Sequence, residues 1–222
     1  DLATAWSSIS EQQINRFLHV PESSLDLVQK NKMQRRMGQL TGTCFQRCAG
    51  LDTLSVLFSI TYDIDKQHGT PYHERFVSFL KKAQSHNLIV GAGMTDPKGD
   101  RSKRPSNQSD PDLFMHVTRR TKEGLYVKGA KAHMTGGLNS HWICVMPTMN
   151  MLEADKDYAV IGMVPATAPG LTYVYGRQSC DTRALEPGDI DKGNAKYGGQ
   201  ETLVIFDDVF IPWAHVLMDG EY

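Results

Sequence analysis

The sequence is poor in cysteine, with four in 222 residues, too few for the disulfide framework that holds small secreted domains together. It is nearly without net charge, since 24 Lys and Arg stand against 25 Asp and Glu. No global field therefore draws it to nucleic acid or to an acidic membrane surface, and any basic site must be local. Long apolar runs are also missing: residues 54–60 form one of the longest, far short of the roughly 20 that span a bilayer. The first residues carry neither an initiator Met nor a basic segment followed by an apolar one, so the chain is expected to start inside a longer protein. The G-x-G-x-x-G fingerprint, the Walker motif, a Ser/His/Asp set, H-E-x-x-H and the kinase signature are all absent, and the commonest hydrolase and transferase chemistries do not claim the sequence. No internal repeat or low-complexity tract occurs.

What is present describes a folded globular chain. Hydrophobic residues make up 40% and charged residues 22%, a balance that excludes disorder and supplies a sizeable core. The length allows one large domain or two small ones, and the cysteine usage suits a reducing cytoplasm. Apolar residues recur at spacings of three and four over 11–18, 23–40, 44–67 and 71–85, which predicts four helices. Ser10 precedes the first, Pro21 and Glu22 open the second, Gly69 closes the third, and Pro71 stands at the first turn of the fourth. Beyond Asn87 the pattern turns to short β-rich runs at 88–90, 113–118, 125–131, 143–146, 158–164, 171–175 and 202–206. Helices followed by many strands, with no βαβ alternation, predict an α+β fold: a helical segment over 1–90 and an antiparallel, barrel-like β-domain over 91–222. Residues 99–112 and 186–200 read as long polar loops, which in a compact domain are more often functional than idle.

Cys44 and Cys48 are the sharpest local feature. If Thr41 or Thr43 caps a helix, the two thiols share one face at i and i+4, a spacing suited to soft ligation of zinc or an iron–sulfur cluster. A disulfide is less attractive, because that separation sits near the long end of the roughly 4.4–6.8 Å Cα range. Two buried cysteines packing as small hydrophobes remain the alternative. Cys144, between Ile143 and Val145, reads as core, and Cys180 has no assignment. Residues 91–101 offer backbone N–H groups, Thr95 and the cations Lys98 and Arg101 within one loop, equipment for holding a phosphate or a charged surface turn. Residues 131–137 end a strand with His133 and Thr135 beside small residues that permit close ligand approach. Arg177, after Tyr175 and Gly176, is placed to grip phosphate or carboxylate or to make a surface ion pair. Glu201 is either a partly buried acid of raised pKa or an ordinary carboxylate at a strand start.

Taken in order, these segments carry a resemblance. Lys32-Met33-Gln34-Arg35-Arg36, Cys44-Phe45-Gln46-Arg47-Cys48, residues 94–101, Gly129-Ala130-Lys131-Ala132-His133, residues 154–160, residues 175–183 and residues 206–212 together resemble the 4-hydroxybutyryl-CoA dehydratases. These belong to the flavoprotein family that includes the 4-hydroxyphenylacetate 3-monooxygenases. The resemblance spans nearly the whole chain. It implies an acyl-CoA dehydrogenase-like architecture, with an N-terminal helical domain, a middle β-domain and a C-terminal helical bundle, FAD held between them, and a homotetramer in the cytoplasm.

The same resemblance implies that Cys44 and Cys48 bind a four-iron four-sulfur cluster that the monooxygenases lack. Met94, Thr95, Lys98, Asp100 and Arg101 then form part of the FAD site, with His133, Met134 and Thr135 along flavin and substrate. Tyr175, Gly176 and Arg177 become a contact for the CoA thioester, while Gln46, Glu201 and Thr135 line the catalytic cavity between cluster and flavin. The implied reaction is dehydration of 4-hydroxybutyryl-CoA to crotonyl-CoA, with isomerisation of vinylacetyl-CoA. The family's remaining cluster ligands, a His and a Cys, lie beyond Tyr222, so this chain alone is expected to be inactive. A flavin-dependent aromatic monooxygenase and a non-catalytic flavin or CoA binder are the rival readings.

Overall fold

A computed structural model describes residues 1–42, 48–176, 196–197 and 201–221, with only the backbone described at 48, 49 and 51. The chain opens with an antiparallel pair, β1 (Thr4–Ser7) and β2 (Gln12–Asn15), followed by a 3₁₀ turn at Arg16–Leu18. The helix expected over 11–18 is therefore replaced by a hairpin. Ile14, Phe17 and Leu18 are all buried and match a helical spacing, but Ala5, Ser7 and Ile14 bury one face of the ribbon instead, and Glu11 adopts a positive φ of 53° in the turn. The Arg16 guanidinium anchors the ribbon by donating to the Leu2 carbonyl at 2.8 Å.

Helix α1 (Ser24–Thr41) starts where its capping chemistry puts it. Ser23 accepts from the Asp26 backbone N–H, while Asp26 accepts from that of Ser23, and Gly42 closes the helix in the left-handed region. Helix α2 spans Cys48–His68, and Gly69 follows at φ 68°. Helix α3 (Tyr72–Ser85) takes Pro71 as its N-cap residue, and the Asp65 carboxylate accepts from the backbone N–H groups of Tyr72 and His73, both at 2.8 Å. The first helical N–H groups thus find an acceptor that Pro71 does not supply.

The remaining strands are β3 (Val90–Gly93), β4 (His116–Arg120), β5 (Gly124–Thr135), β6 (Trp142–Val145), β7 (Val160–Pro165), β8 (Leu171–Val174), β9 (Glu201–Pro212) and β10 (Val216–Asp219). They form one sheet in the order β10-β7-β6-β3-β5-β9-β8, with β4 also on β5. Two sequence expectations need correcting here. The glycine-rich residues 91–93 are strand rather than loop, and β3 runs parallel to β6, with Val90 opposite Trp142 and Gly93 opposite Val145. The sheet is therefore mixed and not plainly a barrel. A parallel pair needs a crossover, and the segment carrying β4 and β5 supplies it.

The period of two sorts the core. On β6 and β7, Cys144, Ile161 and Met163 pack with Leu54 and Leu57 of α2 and with Phe76, Phe79 and Leu80 of α3. Ile143, Val145, Val160 and Val164 face a second cluster with Leu125, Val127, Val204, Phe206 and Ile211. Two buried faces explain why β6 and β7 read as continuous apolar runs. Cys144 is fully buried, as the core reading of the sequence expected, and burial pushes its thiol up to about 12 against the opposing influence of Lys131. It is thus held as an unreactive thiol.

Candidate functional site

Strand β5 builds the site. Along it Leu125, Val127 and Lys131 point inward at alternate positions. Between Lys131 and Met134 the register with β9 slips: Lys131 pairs with Val204 and Met134 with Thr202, so three steps on β5 match two on β9. This bulge turns Met134 inward as well, fully buried, and leaves His133 exposed at φ 50°. A positive φ at a residue with a side chain is strained and clusters at functional positions. The bulge thus aims His133 outward at the strand end where β3 and β9 also meet β5, with Ala92 and Glu201 both paired to Thr135.

Around that corner the structure gathers Met94, Thr95, His133, Met134, Thr135 and Glu201. The Ala132 N–H donates to the Thr95 carbonyl at 2.7 Å, holding the segment after β3 against the bulge. Met94, next to Thr95 in the chain, is exposed at 43%. The Thr135 hydroxyl lies 3.0 and 3.1 Å from the two Glu201 carboxylate oxygens and donates to them, which fixes that carboxylate at the mouth of β9. Thr135→Val is expected to cost about 1 kcal/mol, the net value of one such hydrogen bond, and a urea midpoint unchanged from wild type would contradict it.

Behind the corner the packing is too close for side chains at two glycines. A Cβ on Gly93 would meet Met134 Cε at 2.7 Å, and one on Gly91 would meet Ser140 Oγ at 2.8 Å. Beneath Gly137 the buried Thr202 hydroxyl has no hydrogen-bond partner among the described residues. The exposed imidazole of His133, the exposed Met94 and the part-exposed Thr135 and Glu201 offer apolar and polar contacts to a planar ring system laid on this corner.

Other predicted residues lie apart from this corner. Lys98, Asp100 and Arg101 occupy an exposed stretch beyond Pro97. Hydrogen bonds from the Ser102 hydroxyl and backbone N–H hold the Asp100 carboxyl below the usual range. The expected 99–112 loop contains two 3₁₀ turns, Pro105–Asn107 and Pro111–Leu113. Strand β8 ends with Val174 opposite Leu203, so Tyr175 and Gly176 leave the sheet at the end where Glu201 and Thr202 enter it. Both are exposed. Cys44, Gln46, Arg177 and Cys180 lie outside the described residues, as does nearly all of the 186–200 loop.

Cys48 is the first residue of α2, and the first turn of that helix lies on β3: a Cβ on Gly50 would sit 1.9 Å from the Val90 carbonyl oxygen. The Cys48 end of the helix is thereby brought to the strand that leads into residues 94–101. No group of three or more His, Cys, Asp and Glu residues is placed to hold a metal among the described residues. By residue type alone, Cys44 and Cys48 would offer two of the four thiolates that a four-iron cluster takes.

One network was not anticipated from sequence. Lys131, 2% exposed, donates to Asp96 Oδ1 at 2.5 Å, to the Met146 carbonyl at 2.8 Å and to the Met94 carbonyl at 3.2 Å. The Thr148 hydroxyl donates to Asp96 Oδ2 at 2.9 Å. The available signal was a lysine at an inward position of an otherwise apolar strand. Thr148 also lines a cavity of about 650 Å³ walled by Met146, Met149, Met151 and Met218.

Comparison with known proteins bears on the family and the fold. The family described as 4-hydroxyphenylacetate 3-hydroxylase N terminal matches residues 1–218. The chain is 52% identical, over its whole length, to 46% of the 4-hydroxybutyryl-CoA dehydratase/vinylacetyl-CoA-Delta-isomerase of Clostridium aminobutyricum. It superposes with a TM-score of 0.94 and 61% identity on an oxygen-tolerant archaeal 4-hydroxybutyryl-CoA dehydratase from N. maritimus, covering 100% of this chain and 44% of that one. The oxygenase component of 4-hydroxyphenylacetate 3-monooxygenase complexed with FAD shares the fold at TM-score 0.77 and 21% identity, over 99% of this chain and 44% of that one. The chain spans less than half the length of these relatives. No helix among the described residues is long and apolar enough to cross a membrane. By sequence and by fold, the chain belongs to the 4-hydroxyphenylacetate 3-hydroxylase N-terminal family.

Proposed function

We propose that this chain supplies the N-terminal helical segment and the middle β-domain of a 4-hydroxybutyryl-CoA dehydratase. In this reading the enzyme has an acyl-CoA dehydrogenase-like architecture, is a cytoplasmic homotetramer, converts 4-hydroxybutyryl-CoA to crotonyl-CoA and isomerises vinylacetyl-CoA. The observation that carries it is 52% identity across the whole chain to the clostridial dehydratase/isomerase, joined to a cysteine pair that aromatic hydroxylation does not need.

The corner at the end of β5 would hold FAD, with His133, Met134 and Thr135 along the ring and Met94 and Thr95 across from them. Lys98 and Arg101 would serve its phosphates, and Asp100 would order their turn. Cys44 and Cys48 would be two ligands of a four-iron four-sulfur cluster. When bound, the flavin supplies one-electron redox chemistry and the cluster a Lewis acid for the departing hydroxyl.

The work of this chain's own residues is to bind, orient and exclude water. Glu201, oriented by Thr135, would hold or accept a proton at its carboxylate oxygens. Gln46, between the two cysteines, would contact the substrate hydroxyl. Met94 would offer apolar surface at the ring, with Met134 buried behind it, and Tyr175, Gly176 and Arg177 would meet the CoA portion of the thioester.

The test is to purify this chain and a version extended to the length of its relatives without oxygen, then measure iron, acid-labile sulfide, FAD and dehydration. About four irons per chain with FAD and activity are expected in the extended form only, and Cys48→Ser should remove the iron while FAD stays bound. An extended protein that holds FAD without iron and hydroxylates a phenol would establish the monooxygenase reading instead. One that binds FAD or CoA but catalyses neither reaction would be a binding module.

A further inference from the structure

We propose that Lys131 is a positioning residue that fixes the backbone of residues 94–96 in the shape the ring-binding corner requires. This inference rests on the flavin reading above for its functional consequence, but its structural content does not.

All three N–H donors of the Lys131 ammonium are used, on Asp96 Oδ1, the Met146 carbonyl and the Met94 carbonyl. A group so saturated has no donor left for substrate, so its action must pass through what it holds. Its acceptors come from two strands that are just parting. β3 and β6 run side by side until Gly93 pairs with Val145, and the Met146 N–H donates to the Gly93 carbonyl at 3.2 Å. Beyond that point nothing in the ladder joins them. Lys131 bridges the gap: it grips Met94 and Asp96 on one side and Met146 on the other, and Thr148 closes the ring onto the second Asp96 oxygen at 2.9 Å. The Thr95 carbonyl, between the two gripped residues, accepts from the backbone of Ala132 at 2.7 Å.

Burial argues that the device is retained for shape rather than stability. Lys131 and Asp96 side chains are 2% and 6% exposed. Desolvation lowers the Lys131 pKa while the Asp96 carboxylate opposes it. A buried ion pair is often matched or bettered in stability by apolar residues of similar volume, and the same inward face of β5 already carries Leu125 and Val127. What apolar side chains would not do is hold two backbone carbonyls and a carboxylate at fixed points. The strained His133 lies two residues along the strand, so the tether also backs the bulge that turns the imidazole outward.

The experiment replaces the pair with neutral groups of similar size, Lys131→Met together with Asp96→Asn, which leaves no unpaired buried charge. A separate Thr148→Val removes only the outer hydrogen bond. Amide exchange is followed by mass spectrometry in this chain, and FAD is titrated into the extended protein.

Exchange over residues 94–98 is expected to rise about tenfold in the double variant and about threefold in Thr148→Val, with β5 and β9 unchanged further along; FAD should bind about tenfold more weakly in the double variant, the scale of one charge-assisted hydrogen bond. Unchanged exchange over 94–98 in a folded double variant would overturn the proposal, as would acceleration spread evenly through the sheet, which is how an ordinary core residue behaves. Should the double variant fail to fold, Thr148→Val decides by the same criterion. A wild-type extended protein that takes up no FAD defeats the flavin reading alone, since the exchange result still judges the tether.

Discussion

Gly50→Ala is expected to lower stability by about 1–2 kcal/mol and to strip most of the iron from the extended protein. The added methyl would lie 1.9 Å from the Val90 carbonyl oxygen and 2.9 Å from its carbon. Both are backbone atoms, so no side chain can swing away, and the first turn of α2 must retreat from β3. Overpacking of this kind costs about 1–3 kcal/mol, sometimes more, and here it outweighs the roughly 1 kcal/mol by which alanine favours a helix over glycine. The functional consequence follows from position, because Cys48 is in the same turn and, under the proposed function, is a cluster ligand that tolerates little displacement. Gly38→Ala is the control. In α1 nothing lies within 4 Å of the added methyl, so only the helix preference acts, and stability should rise by about 0.5–1 kcal/mol. Iron content and chemical denaturation of the two variants check the pair. A Gly50→Ala protein with full iron and an unchanged midpoint would show that the helix start does not bear on β3.

How far the sequence revealed this depends on whether the deciding interaction was local. Helices α1 and α3 were legible because their apolar spacing is periodic over many residues and Pro21, Glu22 and Pro71 mark their starts, just before the observed Ser24 and Tyr72. The N-terminal hairpin was not, since Ile14, Phe17 and Leu18 satisfy a helical spacing equally well, and only packing onto the helices decides the matter. Strand β10 went unread because Val216, Leu217 and Met218 form a run too short to distinguish without its partner β7. The parallel pairing of β3 with β6 joins segments about 50 residues apart, which no window of local pattern contains.

The candidate site shows the same division. His133, Thr135 and Glu201 were visible as residue types beside glycines, and the family resemblance placed them on one cavity. The bulge that turns His133 outward changes pairing without changing composition. The Lys131 and Asp96 pair became visible only when residues 35 apart came within 2.5 Å.

Asp155→Asn is expected to cost about 2–3 kcal/mol near neutral pH, and the cost should fade in acid. The Asp155 side chain is fully buried. It accepts from Arg104 Nε at 2.5 Å, from the Ser106 hydroxyl at 2.7 Å and from the backbone N–H groups of Ser106 and Leu152 at 3.1 and 3.3 Å. One carboxylate thereby ties the polar stretch that follows residues 94–101 to the 3₁₀ segment Glu153–Tyr158. An amide in its place can accept through one atom only and sets its NH2 either against the donors of Arg104 and Leu152 or against those of Ser106. Breaking a buried charge pair costs about 3–5 kcal/mol, and the lower figure here allows for Arg104, whose side chain is 36% exposed and can regain water.

Burial raises the Asp155 pKa, but the hydrogen bonds from Ser106 and Arg104 outweigh it and hold the carboxyl below its ordinary range. A depressed folded pKa means that the unfolded chain takes up the proton first. The stabilisation is therefore complete above about pH 4, the ordinary carboxyl value, and is lost as pH falls through the lower folded one. A protonated carboxyl and a side-chain amide at this position are then nearly equivalent. Urea midpoints at pH 7, 4 and 3 should show the gap between wild type and Asp155→Asn narrowing in acid. A gap of constant size would mean that the variant acts through shape and not through the charge.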